Sequence, residues 1–470
     1  MRLTKSDILA IPHFKAIGFE EMKDLKVIGV SIDSRAIKAG ELFFAIRGDQ
    51  FDGHNFISKA IEAGAVSIVV ERHWAEVNAS MMVSINVPRL IVENTIHALG
   101  KLANIYRLKF NIPVIAIGGS NGKTTTKEMI RSVLKKKYRV LCTEGNLNNH
   151  IGVPQTLFRL EKKHEVAVVE IGTNHPGEID YLCSILEPTH GLITNIGREH
   201  LEFFGSLEGV AKSEGELFDW IAKHHGVIFV NADDEYLIRL SQENKKIVSY
   251  GFSTRGVSIE GTIDSLNADA HALLHVKPRG KKMFDITVGV SGEHNAKNAL
   301  AAVAVGIKMN VPMTNIQKAL ASFQSASKRM QLQRIAHVTI LNDTYNANPD
   351  STLAALATLQ VMEATGKKIA VLADMLELGE QAEELHQQVG KHTAQCGVDI
   401  LLTFGPLSKF IHDAASVKTK AHFENKSALT EYLIHILADG DIVLVKGSRG
   451  MKMEEVIMNL EEQLSPKAGI

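Results

Sequence analysis

The chain has 470 residues, 45% of them hydrophobic, and its 52 Lys and Arg nearly balance its 53 Asp and Glu, for a formal net charge of −1. This balance argues against nucleic acid as the main partner, because proteins that bind phosphate backbones usually carry a basic surface. The three cysteines, Cys142, Cys183 and Cys396, fit neither a zinc spacing nor a disulfide framework. Without a signal peptide or an apolar run that could span a bilayer, the sequence predicts a soluble cytoplasmic protein with no membrane insertion, and a monomer by default.

The length predicts about three domains, and apolar runs that alternate with amphipathic stretches predict an α/β fold with mostly parallel sheets. We expect a first domain over residues 1–107. It holds the predicted strands "KVIGVSID", "ELFFAI" and "VSIVVE", with a helix over residues 54–63. Helical periodicity in "TIHALGKLANIYRLKF" closes this segment.

The second domain is expected over residues 108–325, after the break at Asn111, Ile112 and Pro113. Its predicted strands are "VIAIGG", "HEVAVVEIG", "GLITNIG" and "HGVIFVNADD". Alternating residues over 251–290 predict antiparallel strands, followed by the helical "HNAKNALAAVAVGIKM". The third domain is expected over residues 326–470, where the strands "KIAVLADM", "DILLTFG" and "DIVLVKGS" each precede a helical stretch.

One stretch, "IAIGGSNGKTTTKEMI", resembles a phosphate-binding loop whose first glycine is misplaced. The common pattern G-x-x-x-x-G-K-[ST] requires glycine at position 117, where the chain has Ile117 and then Gly118. A glycine-rich turn between an apolar strand and a helix still directs backbone N–H groups at an anion. Lys123 can reach the terminal phosphates of a nucleotide, and the Thr124 hydroxyl can bind Mg²⁺. The alternative is an ordinary strand–helix turn with a surface lysine.

A magnesium–nucleotide site also needs a carboxylate. Glu170 stands at the end of the apolar strand in "HEVAVVEIG", at the edge where open parallel sheets place their sites. It could hold Mg²⁺, as the acidic residue on the second strand of a P-loop enzyme does. Alternatively, it is a solvated residue at the end of its strand. His200 follows the predicted strand that ends at Asn195, and is a weaker candidate because the chain has 20 histidines.

Taken together, the motifs resemble those of the Mur ligases, which build the peptide of bacterial cell-wall precursors and are related to the folylpolyglutamate synthetases. The central motifs are "GGSNGKTTT", "VVEIG", "TNIGREHLEFFGS" and "HNAKNALAA". The family loop is G-x-x-G-K-[ST], which the chain matches from Gly119, so the late glycine is a family trait. "SIDSRAIKAGELFFAIRGDQFDGHNFISKAIEAGA" resembles the family's uridine-nucleotide-binding domain, and "LNDTYNANPDS", "VLADMLELGE" and "VLVKGSRGMKMEEV" resemble its C-terminal domain.

The resemblance implies three α/β domains: a small UDP-binding domain, a P-loop ATPase-like centre and a Rossmann-like C-terminal domain. It also implies ATP and Mg²⁺ as cofactors, and UDP-N-acetylmuramoyl-tripeptide and D-alanyl-D-alanine as substrates. The carboxylate of the tripeptide would attack the γ-phosphate of ATP, and the amine of the dipeptide would then attack the resulting acyl phosphate. This reaction requires cations at the phosphates, aligned substrates and exclusion of water.

The resemblance also assigns roles to residues, among which Lys123, Glu170, His200 and Arg329 would be catalytic. Thr124 and Glu170 would hold one Mg²⁺ and His200 a second. Asn295 and Asn298 match positions on the adenine side, and Arg329 and Asp343 match an arginine and an aspartate that the third domain brings to ATP. The phosphates would be bound by Lys123 and the loop amides, which belong to Gly119, Ser120, Asn121, Gly122, Lys123, Thr124 and Thr125.

Other matched positions concern the remaining substrates. The uridine-diphosphate region matches Ser34 and Arg35 in one motif and Asp52, Gly53 and His54 in another. Residues 145–157 and 446–450 are expected to face the peptidyl substrates.

One position departs from the family pattern. Many Mur ligases have, fourteen residues after the metal-binding histidine, a lysine that CO₂ converts to a carbamate ligand of the second Mg²⁺. The count from His200 leads to Glu214, which we expect to replace the carbamate directly or through water. Lys212 is the nearest lysine, but two helical positions turn a side chain by about 200°, so it should face away. Alternatively, Glu214 is a solvated helix residue.

Three other functions compete with the dipeptide ligase. A sister ligase would add a single amino acid, and a folate-glutamylating enzyme would need no uridine domain. A nucleotide-dependent switch would bind ATP and wall precursors without joining them.

Overall fold

The computed structural model describes residues 2–20, 25–48, 51–325 and 327–464, which form two compact units. The first unit comprises residues 1–116, 138–173 and 177–190 within these limits, and the second comprises 117–137, 174–176 and 191–470. The expected start of the third domain, residue 326, lies outside the described residues, and the predicted domain boundaries stay predictions. No helix in the described part of the chain is long and apolar enough to cross a membrane.

Residues 2–107 contain a five-stranded sheet with the order β2-β7-β6-β5-β4, in which β2 is antiparallel and the other pairs are parallel. The short strands β1 and β3 form a separate antiparallel pair. The elements are β1 (Leu3–Thr4), α1 (Lys5–Ile8), β2 (Phe14–Ile17), β3 (Lys26–Val27), β4 (Gly29–Ser31), β5 (Glu41–Phe44), α2 (Ile57–Glu62), β6 (Ser67–Glu71), α3 (Arg72–Val77), α4 (Ala79–Ser84), β7 (Arg89–Val92) and α5 (Thr95–Arg107).

The predicted helix over 54–63 begins differently from the expectation. Residues Gly53–Phe56 form a 3₁₀ turn before α2, because the Asp52 carboxylate accepts a hydrogen bond from the His54 N–H and starts the turn early.

The middle of the chain forms a nine-stranded sheet with the order β16-β15-β14-β13-β12-β11-β8-β10-β9. As predicted, β14, β15 and β16 pair antiparallel. The elements are β8 (Val114–Gly118), α6 (Lys123–Leu134), β9 (Val140–Cys142), α7 (Gly152–Leu157), β10 (Val166–Glu170), α8 (Glu178–Leu186), β11 (His190–Ile193), α9 (Leu201–Phe204), α10 (Leu207–Lys223), β12 (Val227–Asn231), α11 (Glu235–Leu240), β13 (Ile247–Gly251), β14 (Ile259–Leu266), β15 (His271–Pro278), β16 (Phe284–Ser291), α12 (Glu293–Lys308) and α13 (Met313–Ala321).

The last part of the chain forms a six-stranded sheet with the order β17-β18-β22-β19-β20-β21, parallel except for the β17–β18 pair. The sequence analysis did not identify β21, an edge strand that is polar and only half-buried. The elements are β17 (Gln331–Ile335), β18 (Val338–Asp343), α14 (Pro349–Val361), β19 (Lys368–Ala373), α15 (Ala382–Thr393), β20 (Ile400–Phe404), α16 (Ser408–Ala414), β21 (Thr419–Phe423), α17 (Lys426–Ile436), β22 (Ile442–Lys446) and α18 (Glu454–Leu464).

The central strands of this sheet are apolar throughout because both faces are covered. In β19, Ala370 and Leu372 join the hydrophobic core on one face, while Ile369 and Val371 join the core on the other. This alternation follows from the two-residue period of a strand. The continuous apolar runs therefore predicted buried parallel strands correctly.

Helix α5 is anchored by polar side chains to the end of α8. The buried Arg107 donates to the Leu186 carbonyl (2.9 Å) and the Glu187 carbonyl (3.1 Å), and Asn104 donates to the Ile185 carbonyl (3.1 Å). The last carbonyls of a helix have no partner within that helix, and a cation near them also interacts favourably with the helix dipole. These contacts therefore complete the C-terminus of α8.

We expect Arg107→Leu to lower the free energy of unfolding by about 2–4 kcal/mol, because it leaves buried carbonyls unsatisfied. Urea denaturation followed by circular dichroism measures this change. The matched control is Arg72→Leu, which removes an exposed arginine paired with Glu93 and should change stability by less than about 1 kcal/mol. Equal losses in the two variants would contradict the anchoring role.

Candidate active site

The glycine-rich loop connects β8 to α6, and its backbone explains the unusual glycine spacing. Ile117 is still a buried strand residue, so the turn begins only at Gly119. Gly119 and Gly122 have φ values of 107° and 82°, which residues with a side chain rarely adopt. A Cβ atom on Gly119 would lie 2.4 Å from Thr194 Oγ1. The loop therefore needs glycine at 119 and 122, not at 117.

Three of the loop amides donate to acceptors inside the protein. The Gly119 N–H donates to Glu214 Oε2 (2.6 Å) and the Ser120 N–H to the Asn195 carbonyl (2.9 Å). The Asn121 N–H donates to Asn195 Oδ1 (3.1 Å). These three amides therefore fix the loop to the residues behind it, and phosphate binding by the loop amides stays a prediction.

The loop continues with Gly122, Lys123, Thr124 and Thr125. These residues form the N-terminal turn of α6. The positive end of the helix dipole lies at this turn, which makes it the part of the loop best suited to an anion.

Lys123 folds back over the loop and pairs with an acid that the sequence analysis did not identify. Its ammonium donates to the Gly119 carbonyl (2.5 Å) and lies 3.3 Å from Glu199 Oε2. Both side chains are mostly buried, at 17% and 10% exposed. The signal in the sequence was the run of polar and charged residues "NIGREH" directly after an apolar strand. That strand, β11, ends at Ile193 rather than at Asn195 as expected.

Glu214 lies beneath the loop, on α10. The residue is 1% exposed, its Oε2 accepts the Gly119 N–H, and its Oε1 is buried without a hydrogen-bond partner among the described residues. Burial raises the pKa of Glu214 to about 7, and this effect exceeds the opposing attraction of Lys123; the Glu199 carboxylate raises the pKa further. The alternative of a solvated helix acid is therefore wrong. Lys212 is exposed on the same helix, as the helical geometry predicts.

His200 directly precedes α9 and has a left-handed backbone conformation, with φ 47°. Its Nδ1 lies 2.6 Å from Glu377 Oε2, which comes from the loop after β19. The Glu202 N–H donates to the Glu377 carbonyl (3.2 Å). A residue from the last part of the chain therefore contacts the candidate metal ligand. Carboxylates in such positions commonly orient metal-binding histidines.

Two further contacts join the loop region to the start of α14. Asn348 Nδ2 donates to Asn121 Oδ1 (2.9 Å). The Arg198 guanidinium and backbone N–H both donate to the Asp350 carboxylate. The side chain of Asn121 therefore connects the glycine-rich loop to the start of α14.

Glu170 is the last residue of β10 and is buried, with 2% exposure. Its Oε1 accepts a hydrogen bond from Asn148 Nδ2 (3.0 Å), and its N–H donates to Thr143 Oγ1 (3.0 Å). Its position at the carboxyl end of a strand agrees with the prediction. Asn148 belongs to residues 145–157, the stretch expected to face a peptidyl substrate.

The two asparagines expected on the adenine side are buried in α12. Asn295 Nδ2 donates to the Ser291 carbonyl (2.7 Å), and Asn298 Nδ2 donates to Asn295 Oδ1 (3.0 Å). Asn298 Oδ1 lies so close to the loop that a Cβ atom on Gly122 would be 2.7 Å away. Asn298 therefore contacts the loop itself.

Asp343 and Arg329 lie near the end of β18. Asp343 Oδ2 pairs with Lys446 Nζ (2.5 Å), and its Oδ1 accepts the Met330 N–H (3.0 Å). The Arg329 guanidinium carbon lies 3.7 Å from the centre of the Tyr345 ring, a cation–π contact. Asp343 thus orders this region of the fold, and Lys446 is the first residue of the predicted substrate stretch 446–450.

In the predicted uridine region, the His54 side chain makes internal contacts, and its expected place in the substrate site stays a prediction. It is completely buried and stacks on Trp74, with ring centroids 5.0 Å apart. Nε2 accepts the Glu71 N–H (3.0 Å), so Nδ1 carries the proton that is donated to Asp52 Oδ1 (2.6 Å). Both ring nitrogens are thereby engaged by protein groups.

The other residues of this region differ in exposure. The Arg35 side chain is 89% exposed and pairs with Asp33, whose carboxylate it contacts with two nitrogens. Arg35 holds the pKa of Asp33 at about 2. Ser34 is partly exposed beside it, and Gly53 is required by close packing, since a Cβ atom there would lie 2.7 Å from the Ile46 nitrogen. Ser34 and Arg35 remain the accessible part of the predicted set.

Three family models match the chain in succession. Residues 26–107 match the model described as Mur ligase family, catalytic domain. Residues 117–306 match the Mur ligase middle domain, and residues 328–449 match the Mur ligase, glutamate ligase domain.

The chain is also similar to curated proteins over nearly its full length. It is 35% identical to the UDP-N-acetylmuramoyl-tripeptide–D-alanyl-D-alanine ligase of Haemophilus influenzae, over 99% of both chains. It is 34% identical to the ligase of the same name from Bacillus subtilis, over 92% of this chain and 93% of that one.

Solved structures agree with these relatives. A crystal structure of MurF from Acinetobacter baumannii superposes with a TM-score of 0.88 at 30% identity, covering 98% of this chain and 99% of that one. The MurF ligase of Thermotoga maritima in complex with ADP gives a TM-score of 0.82 at 27% identity, covering 93% and 98%. These comparisons confirm the three-domain α/β architecture. The chain belongs to the Mur ligase family.

Proposed function

We propose that this protein is an ATP-dependent ligase that joins D-alanyl-D-alanine to UDP-N-acetylmuramoyl-tripeptide and so forms the pentapeptide precursor of peptidoglycan. The observation that carries the proposal is the similarity over 99% of both chains to a relative with this activity in its name. Lys123, Glu199 and Glu214 are the charged groups at the glycine-rich loop that we propose for the reaction. We also propose that it acts as a monomer in the cytoplasm.

The reaction needs two displacements. First, a carboxylate oxygen of the tripeptide attacks the γ-phosphorus of ATP, the bond to the β-phosphate oxygen breaks, and ADP leaves. The amine of the dipeptide then attacks the acyl carbon, the carbon–oxygen bond to phosphate breaks, and the amine loses a proton as phosphate leaves. Both steps gather negative charge at the phosphate, so fixed cations and amides aimed at it lower the barrier.

Lys123 is the cation placed for this task. In the structure its ammonium lies against Glu199 and the loop carbonyls, at the N-terminus of α6. Phosphate oxygens bound there would compete with Glu199 for the ammonium. The ammonium would need little reorganisation, because these contacts already orient it in a mostly buried position.

The donor set fits Mg²⁺ bound together with nucleotide phosphates. Across residues 2–20, 25–48, 51–325 and 327–464, no three His, Cys, Asp or Glu side chains are grouped closely enough to hold a metal. Mg²⁺ in nucleotide sites normally takes only one or two protein ligands besides phosphate and water. The buried Oε1 of Glu214, which has no hydrogen-bond partner within the described part of the chain, is a suitable oxygen. We propose Thr124 and Glu170 for one ion and His200 with Glu214 for a second; bound Mg²⁺ would neutralise phosphate charge.

The remaining predicted contacts stay proposals. We propose that Ser34 and Arg35 bind the uridine-diphosphate moiety, since Arg35 is exposed and the guanidinium suits phosphate. Asn298 and Arg329 are proposed at the nucleotide.

The acceptor decides between this ligase and its alternatives. We expect ATP-dependent phosphate release with UDP-muramoyl tripeptide and D-alanyl-D-alanine, but not with single amino acids. A coupled phosphate assay on the purified protein measures it. Turnover with a single amino acid would indicate a sister ligase, and ATP binding without turnover would indicate a nucleotide switch.

We expect Lys123→Ala to reduce phosphate release by about a hundredfold or more, because it removes the cation at the phosphates. The matched control is Lys212→Ala, which removes an exposed lysine of α10 and should leave the rate unchanged. A wild-type rate that depends on CO₂ and is lost with Lys212→Ala would instead show that a carbamate forms there.

The pKa of Glu214 predicts how stability depends on pH. Between the ordinary value of 4.5 and about 7 the folded protein binds more protons than the unfolded chain, so its stability falls as pH rises through this window. Glu214→Gln cannot ionise and should be more stable than the wild type at pH 8 by about 2–3 kcal/mol, but not at pH 4. Thermal unfolding at several pH values measures this difference.

The same variant tests the metal proposal, because glutamine is a neutral and weaker ligand. We expect Glu214→Gln to raise the Mg²⁺ concentration needed for half-maximal activity by about tenfold. The control is Glu208→Gln, an exposed position on the same helix. If the Mg²⁺ requirement is unchanged, Glu214 does not bind the ion and only supports the loop.

A further inference from the structure

The segment after β11 lies between the glycine-rich loop and the start of α14. The Gly197 N–H donates to Ser120 Oγ (2.8 Å), which fixes the segment to the loop. A Cβ atom on Gly197 would lie 3.0 Å from both Asn121 Nδ2 and Asp350 Oδ2. The three pieces of chain therefore meet at Gly197, where a Cβ atom would crowd both neighbouring side chains.

Arg198 makes the central contact of this junction. Its backbone N–H donates to Asp350 Oδ2 (2.7 Å), and its Nε (3.0 Å) and Nη2 (2.5 Å) both donate to Oδ1. Its Nη1 donates to Gln388 Oε1 (3.1 Å) on α15. One residue of the middle domain thus directs all these donors at the C-terminal domain.

A second link reinforces the first. Asn348 caps α14 through its Oδ1, which accepts the Ser351 N–H (2.8 Å), while its Nδ2 donates to Asn121 Oδ1 (2.9 Å). The carboxylate of Asp350 also lies in the first turn of α14, where a negative charge is favoured. The start of α14 is therefore tied to both the loop and the segment beside it.

The Arg198–Asp350 pair combines a strong contact with access to solvent. Arginine and carboxylate meet through several nitrogens, a geometry that strengthens the interaction. Both side chains remain partly in contact with solvent, at 26% and 33% exposed, so the pair can open without leaving a buried charge. Nothing in these contacts requires a bound substrate.

We propose that Arg198 and Asp350 are positioning residues that hold the C-terminal domain against the phosphate loop in the arrangement that ligation requires. This inference rests on the proposed function. Neither residue touches substrate; the pair acts by placing Arg329 and Lys446, which the same domain carries, relative to Lys123. Asn121 contributes as part of the junction and not as a phosphate ligand.

A double-mutant cycle tests the proposal, with Arg198→Gln, Asp350→Asn and the combined variant in the full-length protein. We expect each single variant to lower kcat by about tenfold, while the Kd for ATP changes by less than about threefold. The double variant should be no worse than the single ones, because the pair is already lost in each. Arg198→Lys, which keeps charge but loses the planar donor group, should be intermediate.

Two measurements separate positioning from a general loss of structure. High salt should lower the activity of the wild type towards that of the variants, and should affect the double variant less. Small-angle X-ray scattering with ATP and Mg²⁺ should give a larger radius of gyration for Asp350→Asn than for the wild type. The matched control is Arg239→Gln, which removes an arginine paired with Glu208 inside the middle domain and should behave as wild type.

Wild-type activity is measured first, so that the two proposals fail separately. A wild type without dipeptide-dependent turnover would overturn the proposed function. An active wild type with variants within about twofold of its kcat would overturn the positioning role, as would losses that multiply in the double variant. A variant that unfolds at a lower temperature than the Arg239→Gln control and binds ATP poorly would show a structural role only.

Discussion

The candidate site depends on the close approach of the glycine-rich loop to the segment that follows β11. Gly119 lies against Thr194, and the Ser120 N–H donates to the Asn195 carbonyl. This packing gives the first three amides of the loop internal acceptors, and the positive end of the α6 dipole lies directly after them. The positions of Lys123 and Glu199 follow from the same contact, since each extends from one of the two segments that meet there.

The charge of Lys123 interacts with two glutamates in this arrangement. Lys123 pairs with Glu199, and its charge also counteracts the burial of Glu214. A partly compensated buried acid next to a phosphate-binding loop is an arrangement typical of functional sites, where a group is held ready for a ligand that completes it. The Oε1 of Glu214, which has no hydrogen-bond partner among the residues that the structure describes, is consistent with that reading.

The histidines show why residue type alone was a poor guide to function. His54 directs both ring nitrogens at protein groups, and His386 does the same, accepting the Met375 N–H and bonding the Ala382 carbonyl. Both are structural. His200 differs because its backbone is in the left-handed region and only Nδ1 lies beside a carboxylate, Glu377. The surroundings of each ring, and not its position in the sequence, distinguish the two structural histidines from the candidate ligand His200.

The fold class, the parallel strands and the loop could be predicted from local patterns, because apolar periodicity and the glycine–lysine–threonine run are local properties. The position of Glu170 at the end of its strand and the outward orientation of Lys212 were predicted in the same way. The pairing of distant groups could not be predicted, since Gly119 and Glu214 are 95 residues apart and Arg198 and Asp350 are 152 apart. A buried amide or carboxylate bonds to whichever group packing brings within reach, and that choice has no local signature. For this reason the sequence could not reveal the internal use of the loop amides, the paired His54 or the junction at Arg198.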